Sequence, residues 1–150
     1  MGWWGVNVME GDPPMDAEST IVQNLNTVRA ERGLEYADPY EEDSDIWETL
    51  TLDGVASRIL ADINSDTTIY HEDDRNVHKQ VLGEIIICNG FPLPEDVRQA
   101  AIEAARADEW ASEGGERKAA MDTYIQRITD YNGTAVDPVS QGLFGKIVNG

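Results

Sequence analysis

Residues 76–89, NVHKQVLGEIIICN, decide how the rest of the chain is read. Placed at 100° per residue, Val77, Cys88, Val81, Ile85, Leu82 and Ile86 cover about half of a helical circumference. A surface helix shows a narrower apolar stripe, so this one is expected to be wrapped by neighbours on several sides. Asp73 or Asp74 can cap its start, and Gly90 can supply a left-handed residue at its end. The stretch reads as the central helix of an all-α protein.

Upstream, Leu52, Val55, Ala56, Ile59, Leu60 and Ile63 recur at helical spacing and predict a helix over 52–63. A further helix is expected over 17–32, with Asp16 as its cap, Ile21, Leu25 and Val28 as its stripe, Val22 beside them and Gly33 at its end. Residues 1–16, MGWWGVNVMEGDPPMD, are apolar but aperiodic. They read as an N-terminal arm pinned onto the core, with Trp3-Trp4 as a buried plug and Asp12-Pro13-Pro14 as a rigid turn. Downstream, Pro94 is placed to open a helix over 95–112 whose alanine face (Ala100, Ala101, Ala104, Ala111) permits close helix approach. Gly114-Gly115 interrupts the pattern. A last helix follows over 116–131, with Ala120, Tyr124, Ile125, Ile128 and Tyr131 inward. The tail, 134–150, carries Val136, Val139, Leu143, Phe144, Ile147 and Val148, too apolar for a free linker, and is expected to pack on the bundle. Residues 1–150 are therefore expected to form a single compact all-α domain, a bundle of about five helices with irregular ends folded against it.

Charge narrows the function classes. The 150 residues are 41% hydrophobic and carry a formal net charge of −18. Self-repulsion on that scale opposes direct binding to nucleic acid and favours a basic partner surface, with an attraction that fades as salt rises. The only cysteine, Cys88, falls on the apolar arc of the central helix, which suits a small hydrophobe, and one thiol allows no disulfide within the chain. No apolar run approaches the length of a membrane span, and no signal peptide is visible at the N-terminus. Met1-Gly2 begins a myristoylation pattern, but Val6 stands where Ser or Thr is wanted. The expected location is cytoplasmic, with no membrane partner.

The opening Met1-Gly2-x-Trp4-Gly5, with Asp12 and Asp16 ahead of the first helix, resembles a family of small helical bacterial and phage proteins, domain of unknown function 4259. The step Leu93-Pro94-Glu95-Asp96-Val97-Arg98, between an apolar helix and an alanine-rich one, adds to the likeness. The resemblance implies a helical fold and a bacterial or viral setting, and it carries over no catalytic residue.

Three constellations could carry chemistry. The acidic stretch 33–45, GLEYADPYEEDSD, has six carboxylates, and no Lys or Arg occurs between Arg32 and Arg58. Duplex DNA presents a negative charge about every 1.7 Å, and a rigid carboxylate array can imitate it. On this reading Glu35, Asp38, Glu41, Glu42, Asp43, Asp45 and Glu48 face a basic protein, with Tyr36, Tyr40 and Trp47 as anchors. The protein would then be non-enzymatic, for example a phage-encoded inhibitor or DNA mimic acting on a host nucleic-acid-handling or defence protein. The bland alternative is a solvated acidic loop, or an acidity set by a salty habitat.

The second constellation is a calcium site without a resident cofactor elsewhere. In 62–73, DINSDTTIYHED, helix–loop–helix spacing would recruit Asp62, Asn64, Asp66, the Thr68 carbonyl, Tyr70 and Asp73, with Ile69 as the apolar residue. Thr67 replaces the glycine that the sharp turn needs, and Asp73 is shorter than the usual glutamate. The third is an uncharacterised hydrolase or zinc cluster of His71, Asp74 and His78; His78, however, falls inside the apolar arc, where a histidine is more often a satisfied core residue. Gly142–Lys146 lacks the spacing and the Ser/Thr of a phosphate loop.

Overall fold

The computed structural model describes residue 5, residues 7–65 and residues 72–137. Expectations for Trp3-Trp4, for 66–71 and for the tail from 138 onward lie outside the described residues. The architecture is all-α. Helix α1 spans Asp12–Glu31, α2 Val55–Ser65, α3 Glu72–Asn89, α4 Glu95–Arg106 and α5 Gly115–Asp130, with short 3-10 turns at Trp47–Thr51 and Ala111–Glu113. No strand occurs among the described residues.

Helix α3 is the hub. It packs on α1, α2, α4 and α5, most extensively on α4. From Asn76 to Cys88 every residue is buried except Lys79, which is half-buried. Val81, Leu82, Ile85, Ile86, Ile87 and Cys88 join residues from all four other helices in one continuous apolar cluster. Burying each such side chain contributes about 1.5–3 kcal/mol, the dominant favourable term in a bundle of this size. The described part of the N-terminal arm enters the same cluster through Val8 and Met9.

Gly83 sets how tightly the hub is gripped. A Cβ there would collide with the Tyr124 hydroxyl of α5, with Ile128 Cδ1 at 2.8 Å and with the Ala101 Cβ of α4 at 3.0 Å. The small residues on α3 and α4 thus let three helix axes converge. At the end of α3, Gly90 takes φ +72°, which lets the Phe91 amide turn back onto the Ile86 carbonyl at 3.1 Å.

Several boundaries differ from expectation, each for a physical reason. Asp12, Pro13 and Pro14 form the first turn of α1 and not a separate turn ahead of it. The first amides of a helix have no intrahelical acceptor, so prolines cost nothing there. Helix α4 stops at Arg106, short of Ser112. The reason lies at Asp108, whose Oδ1 accepts the Ala111 amide at 2.8 Å and bends the chain into the 3-10 turn. Helix α2 begins at Val55, after Gly54 at φ +75°, and continues to Ser65.

Candidate functional site: an acidic face with two displayed tyrosines

The segment between α1 and α2 runs over α1 and is fastened to it from below. Arg29, only 8% exposed, donates from Nε to the Glu35 carbonyl at 2.7 Å and from Nη1 to Thr49 Oγ1 at 3.1 Å, and its Nη2 lies 3.4 Å from Asp45. One turn earlier, Asn26 makes a two-way clamp with Ala37: its Nδ2 donates to the Ala37 carbonyl at 3.0 Å, and the Ala37 amide donates to Asn26 Oδ1 at 2.9 Å. Tyr36 therefore sits between two tethered neighbours. Asp38 Oδ1 accepts the Tyr40 amide at 2.9 Å, the Glu41 amide donates to the Asp38 carbonyl, and Pro39 is buried, which fixes the backbone under Tyr40.

What this fixed loop presents is unusual. Tyr36 is 74% and Tyr40 73% exposed. Both line an open groove of about 280 Å³ against α1, together with Val22, Pro39, Asp38 and the buried Glu18. Around them Glu35, Glu41, Glu42, Asp43, Asp45 and Glu48 are exposed and Asp38 is half-buried. Exposing aromatic rings of this size gains nothing in folding, while rings set among charges are the composition of protein-binding anchors.

Of the ten residues expected to face a partner, eight are exposed and Asp38 is half-buried, while Trp47 is buried. Trp47, expected as an anchor, is 2% exposed and belongs to the core cluster. With three residues per turn, the 3-10 segment Trp47–Thr51 turns Trp47 and Leu50 to one buried side, with Thr49 beside them, and exposes Glu48 and Thr51. Its position at the start of that turn is decided by burial of a large ring, not by the acidic neighbours in sequence.

The other two constellations fare differently. Asp62 and Asn64 lie within α2, where residues two apart point about 200° apart around the axis and cannot converge on one ion. Asp73 lies in α3, where burial raises its pKa and a hydrogen bond with Glu109 raises it further. Asp66, Thr68 and Tyr70 are outside the described residues. Among the described residues no group of three or more His, Cys, Asp or Glu side chains is placed to hold a metal ion. His78 is 8% exposed, and its Nδ1 lies 2.6 Å from the Asp74 carbonyl, the backbone of Asp74 and not its carboxylate. His71 is outside the described residues.

Sequence reasoning passed over a buried polar network among α3, α5 and the turn after α4. Arg117, 1% exposed, donates to both oxygens of Asp108, with Nη2 at 2.7 Å from Oδ2. It also reaches Gln80 Oε1 at 3.3 Å and the Asn7 carbonyl at 3.4 Å, and its Cζ lies 4.9 Å from the centre of the Trp110 ring. Gln80 in turn donates to Asp108, and Tyr124 donates to the Gln80 carbonyl at 2.7 Å. Burial pushes the Asp108 carboxyl up, but bonds from Arg117, the Ala111 amide and Gln80 outweigh it and hold the pKa below its ordinary value. A second pair joins Arg127 Nη1 to the fully buried Glu84 at 2.8 Å. Here burial prevails over the attraction of Arg127, and the Glu84 pKa is raised. Cys88, beside this pair, is pushed by burial up to about 12, which leaves a thiol and no nucleophilic thiolate. The available signal was the polar residues Gln80 and Glu84 within the stretch 76–88 expected to be wrapped on several sides, where they demand buried partners.

No helix among the described residues is long and apolar enough to cross a membrane. Fold and surface together describe a helical protein that displays two aromatic rings among exposed carboxylates. Comparisons with protein-family models, with curated proteins and with solved structures match nothing to this chain, so the functional reading rests on the residues themselves.

Proposed function

We propose that this protein is a non-enzymatic binding protein that engages a basic surface of another protein through the acidic face of 35–48. The observation that supports the reading is the pair of exposed rings, Tyr36 and Tyr40, held on a loop clamped by Asn26 and Arg29 in a stretch of eight carboxylates with no Lys or Arg between Arg32 and Arg58. A clamped loop loses little conformational entropy on binding, so its contacts convert into affinity more fully than those of a free loop. Carboxylates around the rings steer a positive partner and disfavour a negative one. In its most specific form, suited to a bacterial or viral setting, the partner is a nucleic-acid-handling or defence protein whose DNA groove the face occupies.

Capture from a host lysate on immobilised protein tests this. A basic nucleic-acid-binding protein is expected to be retained at low salt, released as salt is raised, and displaced by duplex DNA. Neutralising the loop (Glu41→Gln, Glu42→Gln, Asp43→Asn) is expected to abolish retention. Retention that ignores both salt and the neutralised loop overturns the reading.

A further inference from the structure

We infer that the groove between Tyr36 and Tyr40 receives an arginine side chain of the partner, an inference that rests on the acidic-face reading above. The lining supplies each thing that a guanidinium with its stem requires. Two tyrosine rings offer π faces, Val22 and Pro39 offer apolar surface, and the half-buried Asp38 brings a carboxylate to the same groove. Guanidinium stacks on aromatic faces, its methylene stem covers apolar surface, and its edge N–H groups seek carboxylate oxygens.

Charge complementarity selects a cation over other occupants. Between Arg32 and Arg58 the chain has eight carboxylates and no Lys or Arg. The nearest cation below the loop, Arg29, already serves Glu35, Thr49 and Asp45. Asp38 spends one oxygen on the Tyr40 amide, and a carboxylate retains acceptor capacity beyond one bond. An anionic peptide or a phosphate would meet repulsion from the surrounding carboxylates, and a neutral apolar side chain would desolvate Asp38 without using its remaining acceptor capacity. Lysine fits less well than arginine, because its ammonium is compact, strongly hydrated and has no planar face to stack.

Two end-blocked peptides of equal length and charge separate these possibilities: a Gly-Arg repeat and a Gly-Lys repeat, each titrated calorimetrically into the full chain at low and high salt. The arginine peptide is expected to bind about fivefold more tightly than the lysine peptide. In the variant Tyr36→Ala/Tyr40→Ala that preference is expected to fall to about unity while salt-sensitive binding of both peptides persists. In Tyr36→Phe/Tyr40→Phe, which keeps the ring faces, the preference is expected to survive; circular dichroism verifies that both variants keep the helical fold. Equal affinity of wild type for the two peptides, or a preference that survives the double alanine substitution, overturns the arginine groove and leaves the acidic face standing. Failure of both peptides to bind at low salt overturns the two readings together.

Discussion

Carboxylates do opposite things in two regions of this molecule. Between α3, α4 and α5, Asp108 and Glu84 are buried and each meets an arginine at less than 3 Å. On the acidic face, Glu41, Glu42 and Asp43 are exposed; Asn26 and Arg29 hold the backbone of neighbouring loop residues, and of the loop's carboxylates Arg29 reaches Asp45. The buried carboxylates specify how helices dock; the exposed ones are left to act on something else. Acidity by itself therefore says little. What distinguishes the two regions is whether a cation of the same chain has been spent on the charge.

If the buried region is structural, breaking it should be costly. Arg117→Ala strands Asp108 among Gln80 and the helix ends, and unfolding in urea is expected to show a loss of about 3–5 kcal/mol. A loss under about 1 kcal/mol would show that water or a rearranged Gln80 takes over the role of the guanidinium.

A smaller effect, with a pH signature, is expected at Glu84. Its folded pKa is raised above the ordinary 4.5, so the native state holds this proton more tightly than the unfolded chain. Stability should therefore rise as pH falls from neutral through the folded pKa, and that gain should be complete below 4.5. Asp108 works the other way: its lowered pKa contributes stability that is present above the ordinary 3.8 and is lost as pH falls through the folded value. Thermal unfolding across the acid range should show the rise first and the decline afterwards. Glu84→Gln should reduce the rise, leaving the part that belongs to the raised Asp73 carboxyl, and keep the decline.

The smallest effect is expected on the acidic face. Tyr36→Ala/Tyr40→Ala removes two rings that bury little of themselves, and the unfolding free energy should change by no more than about 0.5 kcal/mol. A larger loss would mean that the rings belong to the fold, and the contrast between the two regions would collapse.

Much of the fold was legible because it depends on periodicity. The apolar residues of 76–89 repeat at helical spacing over about half the circumference, a face too wide for one neighbour to cover, so the hub position of α3 follows from the pattern. The ends of helices were less legible. Whether Pro13 and Pro14 precede a helix or open one depends on which amides need acceptors, and Asp108 ends α4 through a bond to Ala111 that spacing does not encode. The acidic face was legible as composition, but its rigidity was not. Arg29 reads from sequence as a helix-end cation, and only the folded chain shows it reaching Glu35, Thr49 and Asp45. Trp47 was misread for the same reason, since an aromatic among acids looks the same in sequence whether it faces in or out.

The grip of Arg29 ties two distant points of the chain to one place. The Glu35 carbonyl and the Thr49 hydroxyl meet on a single guanidinium, so the residues between them form a loop drawn shut at its neck. Length added near the outer bend of such a lasso is absorbed there, because closing a longer flexible loop adds only about 0.6 kcal/mol per doubling. The helices behind the knot would not feel it. In this chain the surface that meets the outside world is thereby uncoupled from the architecture that supports it, and it can change its reach without asking the bundle to refold.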